Sequence, residues 1–174
     1  MPALDTMCDN TYHPAMNLRD EIKQTRPFDD PAQEAYLGIV RTAAELEHRV
    51  SELLKPHGIT QTQYNVLRIL RGAGETGLNR NQVRDRMIAP VPDATRILDR
   101  LDAAGLIVRS REAVDRRFVT TRITDEGLRM LDALDEPVLD LHREQFASLG
   151  DADVRALIDL LDRVRHRSNT QRAD

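Results

Sequence analysis

The chain has 174 residues, 40% hydrophobic and 31% charged, which is enough to build the core of one domain, with or without an appendage. No apolar run approaches the ~20 residues that cross a bilayer, and the N-terminal residues lack the basic and apolar segments of a secretion signal. A single cysteine excludes an internal disulfide, and 3% aromatic residues disfavour single-strand binding by base stacking. We therefore expect a cytoplasmic protein.

The N-terminal part of the sequence predicts an extension followed by a long helix. Residues 1–29 contain three prolines and no sustained periodicity, which indicates an extension, partly disordered or with a short helix near Met16–Gln24. Asp30 as N-cap and Pro31 at the first position begin a helix over about 30–56. Its apolar residues alternate in steps of three and four, a seam for another helix. They are Tyr36, Ile39, Ala43, Leu46, Val50 and Leu53.

The next predicted helix leads into a glycine-rich segment. Thr60 and Gln63 form a capping box, and the helix continues to about Arg71. Gly72–Gly77 then matches G-x-G-x-x-G, which binds nucleotides when a strand precedes it and a helix follows it. Here an amphipathic helix precedes it, so a turn between helices is the favoured interpretation. A nucleotide-using enzyme is the disfavoured one.

A short helix and a proline-containing connection come next. Asn79 with Gln82 predicts the N-terminus of the short helix. Pro90 and Pro92 keep the following connection from being helical. Pro92 is expected at the first position of the next helix, with Asp93 in its first turn, where the helix dipole favours an acid.

That next helix has one apolar and one polar face. The apolar positions recur at helical spacing and are Ala94, Ile97, Leu98 and Leu101. The polar positions lie on the other side and are Thr95, Arg96, Asp99 and Arg100. Gly105 is expected to end the helix, because glycine readily takes the positive φ of a C-terminal cap.

Two short strands are predicted after Gly105, over Leu106–Val108 and Phe118–Thr121, from their β-branched and apolar residues. The segment between them, Arg109–Arg117, is too polar to bury and is expected to form the tip of a hairpin. A helix presenting Thr and Arg beside an Arg-rich hairpin is typical of a winged helix-turn-helix. In that fold the helix enters the major groove and the hairpin, or wing, reaches a minor groove.

The charge distribution is compatible with DNA binding but does not decide it. From Arg80 to Arg122 the chain carries ten arginines and six acidic residues, so this segment is +4 and the rest is −8, for a total of −4. Because salt screens fields beyond ~10 Å, a basic module in an acidic chain can still bind phosphates. An ordinary solvated surface is the alternative.

Two helices are predicted between residues 125 and 167. Thr124 begins the first, Pro137 lies inside it and should kink it, and Gly150 precedes the second. Together with the helix at 30–56 they carry more apolar surface than a small winged module covers, which predicts a homodimer. A monomer with a closed six-helix core is the alternative. The predicted fold is mainly α with a small β-wing: a winged helix-turn-helix module over about 60–124 and a helical dimerisation region.

Three motifs resemble the MarR family of bacterial transcription regulators: L-D-R-L-D-A-A-G-L-I at Leu98–Ile107, D-R-R at Asp115–Arg117 and I-T-D-E-G at Ile123–Gly127. The resemblance covers about residues 30–167. It implies a homodimeric winged helix-turn-helix protein, usually a repressor, that releases pseudo-palindromic DNA when a small molecule binds, often an aromatic or phenolic acid. We expect no enzymatic activity, no cofactor and, from the histidine spacing, no metal site.

The resemblance also implies a DNA interface. Thr95 and Arg96 would face bases and Arg100 the DNA backbone, whereas Asp99 would be internal and ion-paired rather than base-reading. The complete set of predicted contacts is Asn79, Arg80, Pro92, Asp93, Thr95, Arg96, Arg100, Arg109, Arg111, Asp115, Arg116 and Arg117.

In the predicted wing, the resemblance implies that Arg117 enters the minor groove and that Asp115 holds it by a charge-assisted hydrogen bond. Arg116 would pair with acids or with phosphate. A surface ion network that stabilises the hairpin is the alternative for these three residues. A winged helix used only for protein association is a further alternative, which the arginine-bearing wing disfavours.

For the effector, the resemblance implies a cleft between the dimer helices and the DNA-binding module. The candidate residues are Tyr36, His48, His57, Tyr64 and Arg68. A redox-responsive regulator that uses Cys8 is an alternative function, although Cys8 lies well upstream of the reactive cysteine in the oxidation-sensing branch of the family.

Overall fold

The computed structural model describes residues 17–111 and 119–170. Within them the chain forms helices and one antiparallel hairpin, in the order α1 (Leu18–Glu21), α2 (Pro31–Leu54), α3 (Gln61–Ala73), α4 (Arg80–Asp85), α5 (Ala94–Ala103), β1 (Ile107–Arg111), β2 (Val119–Ile123), α6 (Asp125–Gln145) and α7 (Asp151–Thr170). The predicted mainly α fold with a small β-wing is confirmed. The chain divides into two compact units, one ending at Glu45 and the other beginning at Leu46.

In the first unit, local capping groups fix where the helices begin. The side chain of Asn17 caps α1, which lies inside the range predicted for a short helix, Met16–Gln24. At the start of α2, Asp30 Oδ1 accepts a hydrogen bond from the amide of Ala32 at 2.6 Å. Pro31 is the first residue of α2, as predicted.

The core of the second unit is formed by apolar residues at helical spacing. Leu101 of α5 and Leu131 and Leu134 of α6 are fully buried. Helix α5 therefore buries the apolar face that the sequence predicted, and α6 also buries leucines at helical spacing. The remaining fully buried apolar side chains are Leu54, Val66, Leu67, Leu70 and Val83. Among the described residues, no helix is both long and apolar enough to span a membrane.

Two capping boxes set the starts of α3 and α4, as predicted. Thr60 and Gln63 exchange side-chain and backbone hydrogen bonds at the N-terminus of α3, and Asn79 and Gln82 do the same for α4. Each box satisfies amide groups that the first helical turn leaves without a partner.

The predicted start of α5 is wrong by two residues, because the helix begins at Ala94 and not at Pro92. Asp93 is the N-cap rather than a first-turn residue, and its carboxylate accepts a hydrogen bond from the amide of Arg96 at 3.0 Å. Pro92 lies just before the cap and not at the first helical position. A carboxylate at the cap satisfies an orphan amide directly, whereas an acid in the first turn would interact only with the dipole.

The end of α5 has the geometry of a Schellman motif. Gly105 has φ of +71°, its amide donates to Asp102, and the amide of Leu106 donates to Leu101 at 3.0 Å. The predicted role of Gly105 is therefore confirmed. This stop turns the chain directly into the hairpin.

The strands of the hairpin are longer than predicted. β1 and β2 pair antiparallel from Ile107 with Ile123 to Arg111 with Val119, so Arg109–Arg111 belong to a strand rather than to the tip. Leu78 adds a third segment, because its amide and carbonyl both bond to Thr121, at 2.9 and 2.8 Å. These hydrogen bonds give the buried backbone amide and carbonyl groups of Leu78 and Thr121 the partners that they need away from water.

The glycine-rich segment is a turn, as predicted. α3 precedes it, Gly74–Thr76 form a single 3-10 turn, and Gly77 has φ of +65°. A β-carbon on Gly77 would meet side chains of Thr120 and Arg122 and the carbonyl of Thr121, each at 2.7 Å. Gly77 is therefore needed for the close approach of this turn to β2, not for a phosphate.

α6 begins at its predicted cap, Thr124, and continues through Pro137, where the predicted kink stays a prediction. α7 runs to Thr170, beyond the predicted end near 167.

Candidate nucleic-acid interface

The surface of α5 opposite the core carries the basic side chains expected for a recognition helix. Ala94, Leu98 and Leu101 are buried, whereas the side chains of Arg96 and Arg100 are exposed. Among the described residues, neither guanidinium group takes part in a hydrogen bond or ion pair. Both are therefore free to bind an anionic partner.

The N-terminus of α4 lies beside the first turn of α5. Arg80 Nη1 donates to Thr95 Oγ1 at 3.3 Å, which brings two predicted DNA contacts together. A cavity of about 400 Å³ lies where α4 and α5 meet the hairpin. It is lined by Asn79, Arg80, Asn81, Thr95, Leu98, Arg109, Val119 and Thr121.

Arg109 joins the root of the hairpin to α5. Its Nη1 lies 2.7 Å from Asp99 Oδ1, and its Nη2 donates to the Thr95 carbonyl at 3.5 Å. The side chain of Arg109 is 23% exposed, although the sequence placed it in a solvated tip. The ion pair implied for Asp99 is confirmed, but the implied internal position is wrong, because the Asp99 side chain is 59% exposed.

Arg122 is an interface-supporting residue that the sequence did not indicate. Its Nε donates to the Glu75 carbonyl, and its Nη1 donates to Ser110 Oγ at 3.1 Å. Arg122 therefore fastens the base of the hairpin to the 3-10 turn. No local pattern could reveal this role, because Glu75 lies 47 residues away in sequence.

A second cavity, of about 660 Å³, lies between α3 and α6. Its lining includes two predicted effector residues, Tyr64 and Arg68, but neither His48 nor His57. Both histidines are exposed, and Tyr36 is an exposed residue of the first unit. The other lining residues are Val50, Gln61, Asn65, Arg71, Ile88, Asp135, Val138, Leu139 and His142.

Charged groups of this second cavity are already paired with one another. Arg71 forms two hydrogen bonds of 2.8 Å to the carboxylate of Asp135, and Arg68 Nη1 lies 3.7 Å from the same carboxylate. The hydrogen bond from Arg71 lowers the pKa of Asp135, and the same bond raises the pKa of Arg71. Arg68 also donates to Tyr64 Oη at 2.9 Å.

Comparison with known proteins identifies the family. Residues 57–117 match the family model described as MarR family. A solved MarR transcription factor from Planctomyces limnophilus is 38% identical, with 78% of this chain and 98% of that chain covered and a TM-score of 0.62. The chain belongs to the MarR family. It is accordingly a DNA-binding transcriptional regulator with a winged helix-turn-helix.

Three further proteins are similar to this chain. An E. coli MarR variant solved with operator DNA is 28% identical, with 72% of this chain and 89% of that chain covered and a TM-score of 0.66. The transcriptional repressor IacR of Pseudomonas putida is 26% identical over 132 residues, 76% of this chain and 78% of the repressor. BpsR of Bordetella bronchiseptica, whose DNA binding 6-hydroxynicotinic acid regulates, shares the fold at 21% identity, with 76% and 98% covered and a TM-score of 0.68.

Several residues with predicted roles lie outside the described residues. They are Asp115, Arg116 and Arg117 of the wing and Cys8 of the extension. Arg111 ends β1, where its backbone is opposite Val119. Their predicted roles stay predictions.

Proposed function

We propose that this chain is a homodimeric repressor that binds duplex operators through α5 and the wing and is released by a small effector. The observation that carries the proposal is the two-faced α5. Its apolar side is buried, and the side chains of Arg96 and Arg100 are exposed without a partner among the described residues. A helix of this kind suits the major groove, where arginine reads guanine and neutralises phosphate.

Binding-site selection from random duplexes tests the proposal. A pseudo-palindromic site is expected, since a two-fold dimer presents two copies of α5 about one DNA turn apart. Arg96→Ala should relax base preference. Arg100→Ala should weaken binding to all duplexes and reduce the salt slope of log Kd by about one unit. Arg117→Ala should weaken binding to most duplexes.

The matched control is Arg129→Ala, at an exposed residue of α6 that pairs with Glu126. It removes the same charge without touching α5. If selection enriches no site, or if the three interface variants bind like this control, the DNA-binding assignment of these residues is wrong.

The dimer is supported by apolar side chains that α7 leaves exposed, including Ile158, Leu160 and Val164. Helix α2 also exposes apolar side chains, Tyr36, Ile39 and Val40. Sedimentation equilibrium should give twice the chain mass. Ile158→Asp should shift it toward one chain mass and weaken operator binding, whereas Arg155→Ala, on the same helix, should change neither. A monomeric parent protein that still binds a palindrome would contradict the dimer.

The effector site is supported by the cavity between α3 and α6, whose size suits a small ligand. Its walls are apolar at Val50, Val138 and Leu139. Arg68 also lines it, 3.7 Å from Asp135, whereas Arg71 is already paired with both Asp135 and Asp132. An apolar lining with a cationic group at Arg68 favours a small aromatic acid.

The probe is 6-hydroxynicotinate, titrated into the protein bound to a fluorescent copy of the selected duplex. Release of DNA is expected. Arg68→Gln should weaken that response while leaving affinity for DNA unchanged. Arg143→Gln, an exposed arginine of α6 outside the cavity lining, is the control. Release that is equal in both variants would exclude this cavity as the site.

A further inference from the structure

From the contacts at the hairpin root, we infer that Arg109 and Asp99 are positioning residues that set α5 at its DNA-binding angle, rather than residues that contact DNA. This inference rests on the proposed DNA binding through α5. It departs from the sequence-based expectation that Arg109 itself binds DNA. The distinction is testable, because the two roles predict opposite responses to removal of a negative charge.

The guanidinium group of Arg109 points toward α5. Arg109 spans one turn of α5, since its Nη1 lies 2.7 Å from Asp99 and its Nη2 contacts the carbonyl of Thr95, four residues earlier. The Nε atom of Arg109 is buried, with no hydrogen-bond partner among the described residues. The donors of Arg109 are thus turned toward α5, not toward the outer surface where Arg96 and Arg100 lie.

The backbone of Arg109 is held in place by the hairpin. It lies in β1 opposite Thr121, and Thr121 exchanges two backbone hydrogen bonds with Leu78. Thr121 is 1% exposed, so Arg109 lies opposite a fully buried residue of β2. An arginine held there fixes the position of α5 relative to the sheet, because its planar guanidinium group can bind a carboxylate and a carbonyl of the helix at the same time.

The negative charge of Asp99 lies on the helix proposed to bind DNA. Asp99 is 59% exposed on the same helix as Arg96 and Arg100, so its carboxylate repels an approaching phosphate backbone. If Asp99 acted only through that field, its neutralisation would tighten DNA binding. If Asp99 holds Arg109 and thereby α5, neutralisation weakens specific binding instead.

The experiment measures Kd for the selected operator and for an unrelated duplex across a salt series. Asp99→Asn is expected to weaken operator binding by about three- to tenfold, within the range that partly exposed ion pairs and small misplacements of contacts produce. Binding to the unrelated duplex should stay equal or tighten. The salt slope should not fall, since no phosphate contact is lost.

Arg109→Lys keeps the charge but cannot span both partners, so it should show the same loss of specificity at unchanged slope. Asp99→Glu, which retains a carboxylate, should recover most of the affinity. The double variant Asp99→Asn with Arg109→Lys should lose little more than either single variant, as expected for residues that act as a unit. Thermal midpoints of all variants separate this effect from unfolding.

Tighter or unchanged operator binding by Asp99→Asn would overturn the inference. So would a salt slope that falls by about one unit in Arg109→Ala, as in Arg100→Ala, because that is the signature of a direct phosphate contact. If the parent protein itself fails to select a duplex, the proposed function fails, and that result is distinct from either of these.

Discussion

Gly127 approaches Leu106 so closely that a side chain would not fit between them: a β-carbon on Gly127 would lie 2.4 Å from the Leu106 carbonyl oxygen. The Thr124 hydroxyl donates to Gly105 at 2.7 Å and accepts from Gly127 at 3.1 Å. This contact joins the first turn of α6 to the chain that leaves α5. It gives a physical reason for the I-T-D-E-G motif at the end of the wing.

Gly127→Ala should therefore destabilise the protein by about 2 kcal/mol, the usual cost of forcing an extra carbon into a packed contact. Urea unfolding monitored by circular dichroism measures it. Gly72→Ala is the control, since Gly72 is in a helix with open space where its β-carbon would lie. It should be neutral or slightly stabilising. Equal stability of both variants would contradict the close contact.

The matched pair Gly77 and Gly74 separates backbone strain from crowding. Both have positive φ, with similar ψ values of −176° and −147°, so alanine is strained at either position. Only at Gly77 would the β-carbon also meet three atoms at 2.7 Å. Gly77→Ala should lower the free energy of unfolding by about 1–3 kcal/mol more than Gly74→Ala does. A smaller loss at Gly77 would mean that β2 can move away from the turn.

Asp93 offers a test of how α5 begins. As an N-cap, it should be replaceable by asparagine at little cost, whereas Asp93→Ala should lose about 1 kcal/mol of stability. Were Asp93 instead a first-turn acid, Asp93→Asn would lose the same dipole interaction as Asp93→Ala. Pro92→Ala, just outside the helix, should have an effect within about 0.5 kcal/mol. Chemical denaturation of the three variants distinguishes the two positions.

These residues also indicate which features the sequence could predict. The caps at Thr60 and Asn79 and the stop at Gly105 depend on neighbours within a few residues, so a local pattern was sufficient. The apolar face of α5 was predictable because burial follows helical periodicity. The sequence places Asp93 two positions too late in the helix, because an acid is favourable both at a cap and in a first turn.

Contacts between residues that are far apart in the sequence could not be predicted from local patterns. From the sequence, Arg109 is expected to be a solvated charge, but in the fold β1 places it beside Asp99. Arg71 pairs with Asp135, which lies 64 residues away in the sequence. The lining of the second cavity also depends on contacts between distant residues, because the packing of α3 against α6 brings Tyr64 and Arg68 beside Asp135. The predicted effector roles of His48 and His57 stay predictions.

The Arg71–Asp135 pair predicts a pH dependence with a definite sign. Because the hydrogen bond from Arg71 lowers the pKa of Asp135 in the folded protein, this carboxylate stabilises the fold above its ordinary pKa of about 4. That contribution is lost as pH falls through the lowered pKa. Asp135→Asn should therefore be less stable than the parent at pH 7, and the difference should shrink toward zero in strong acid.

The difference at pH 7 should stay below about 1 kcal/mol, because the Asp135 side chain is 43% exposed and solvent screens the pair. Urea unfolding of both proteins from pH 7 down to pH 3 measures it. Asp132→Asn is the control, since Asp132 is more exposed and lies 3.4 Å from Arg71. A difference between Asp135→Asn and the parent that grows as pH falls would show that the carboxylate destabilises the cavity wall.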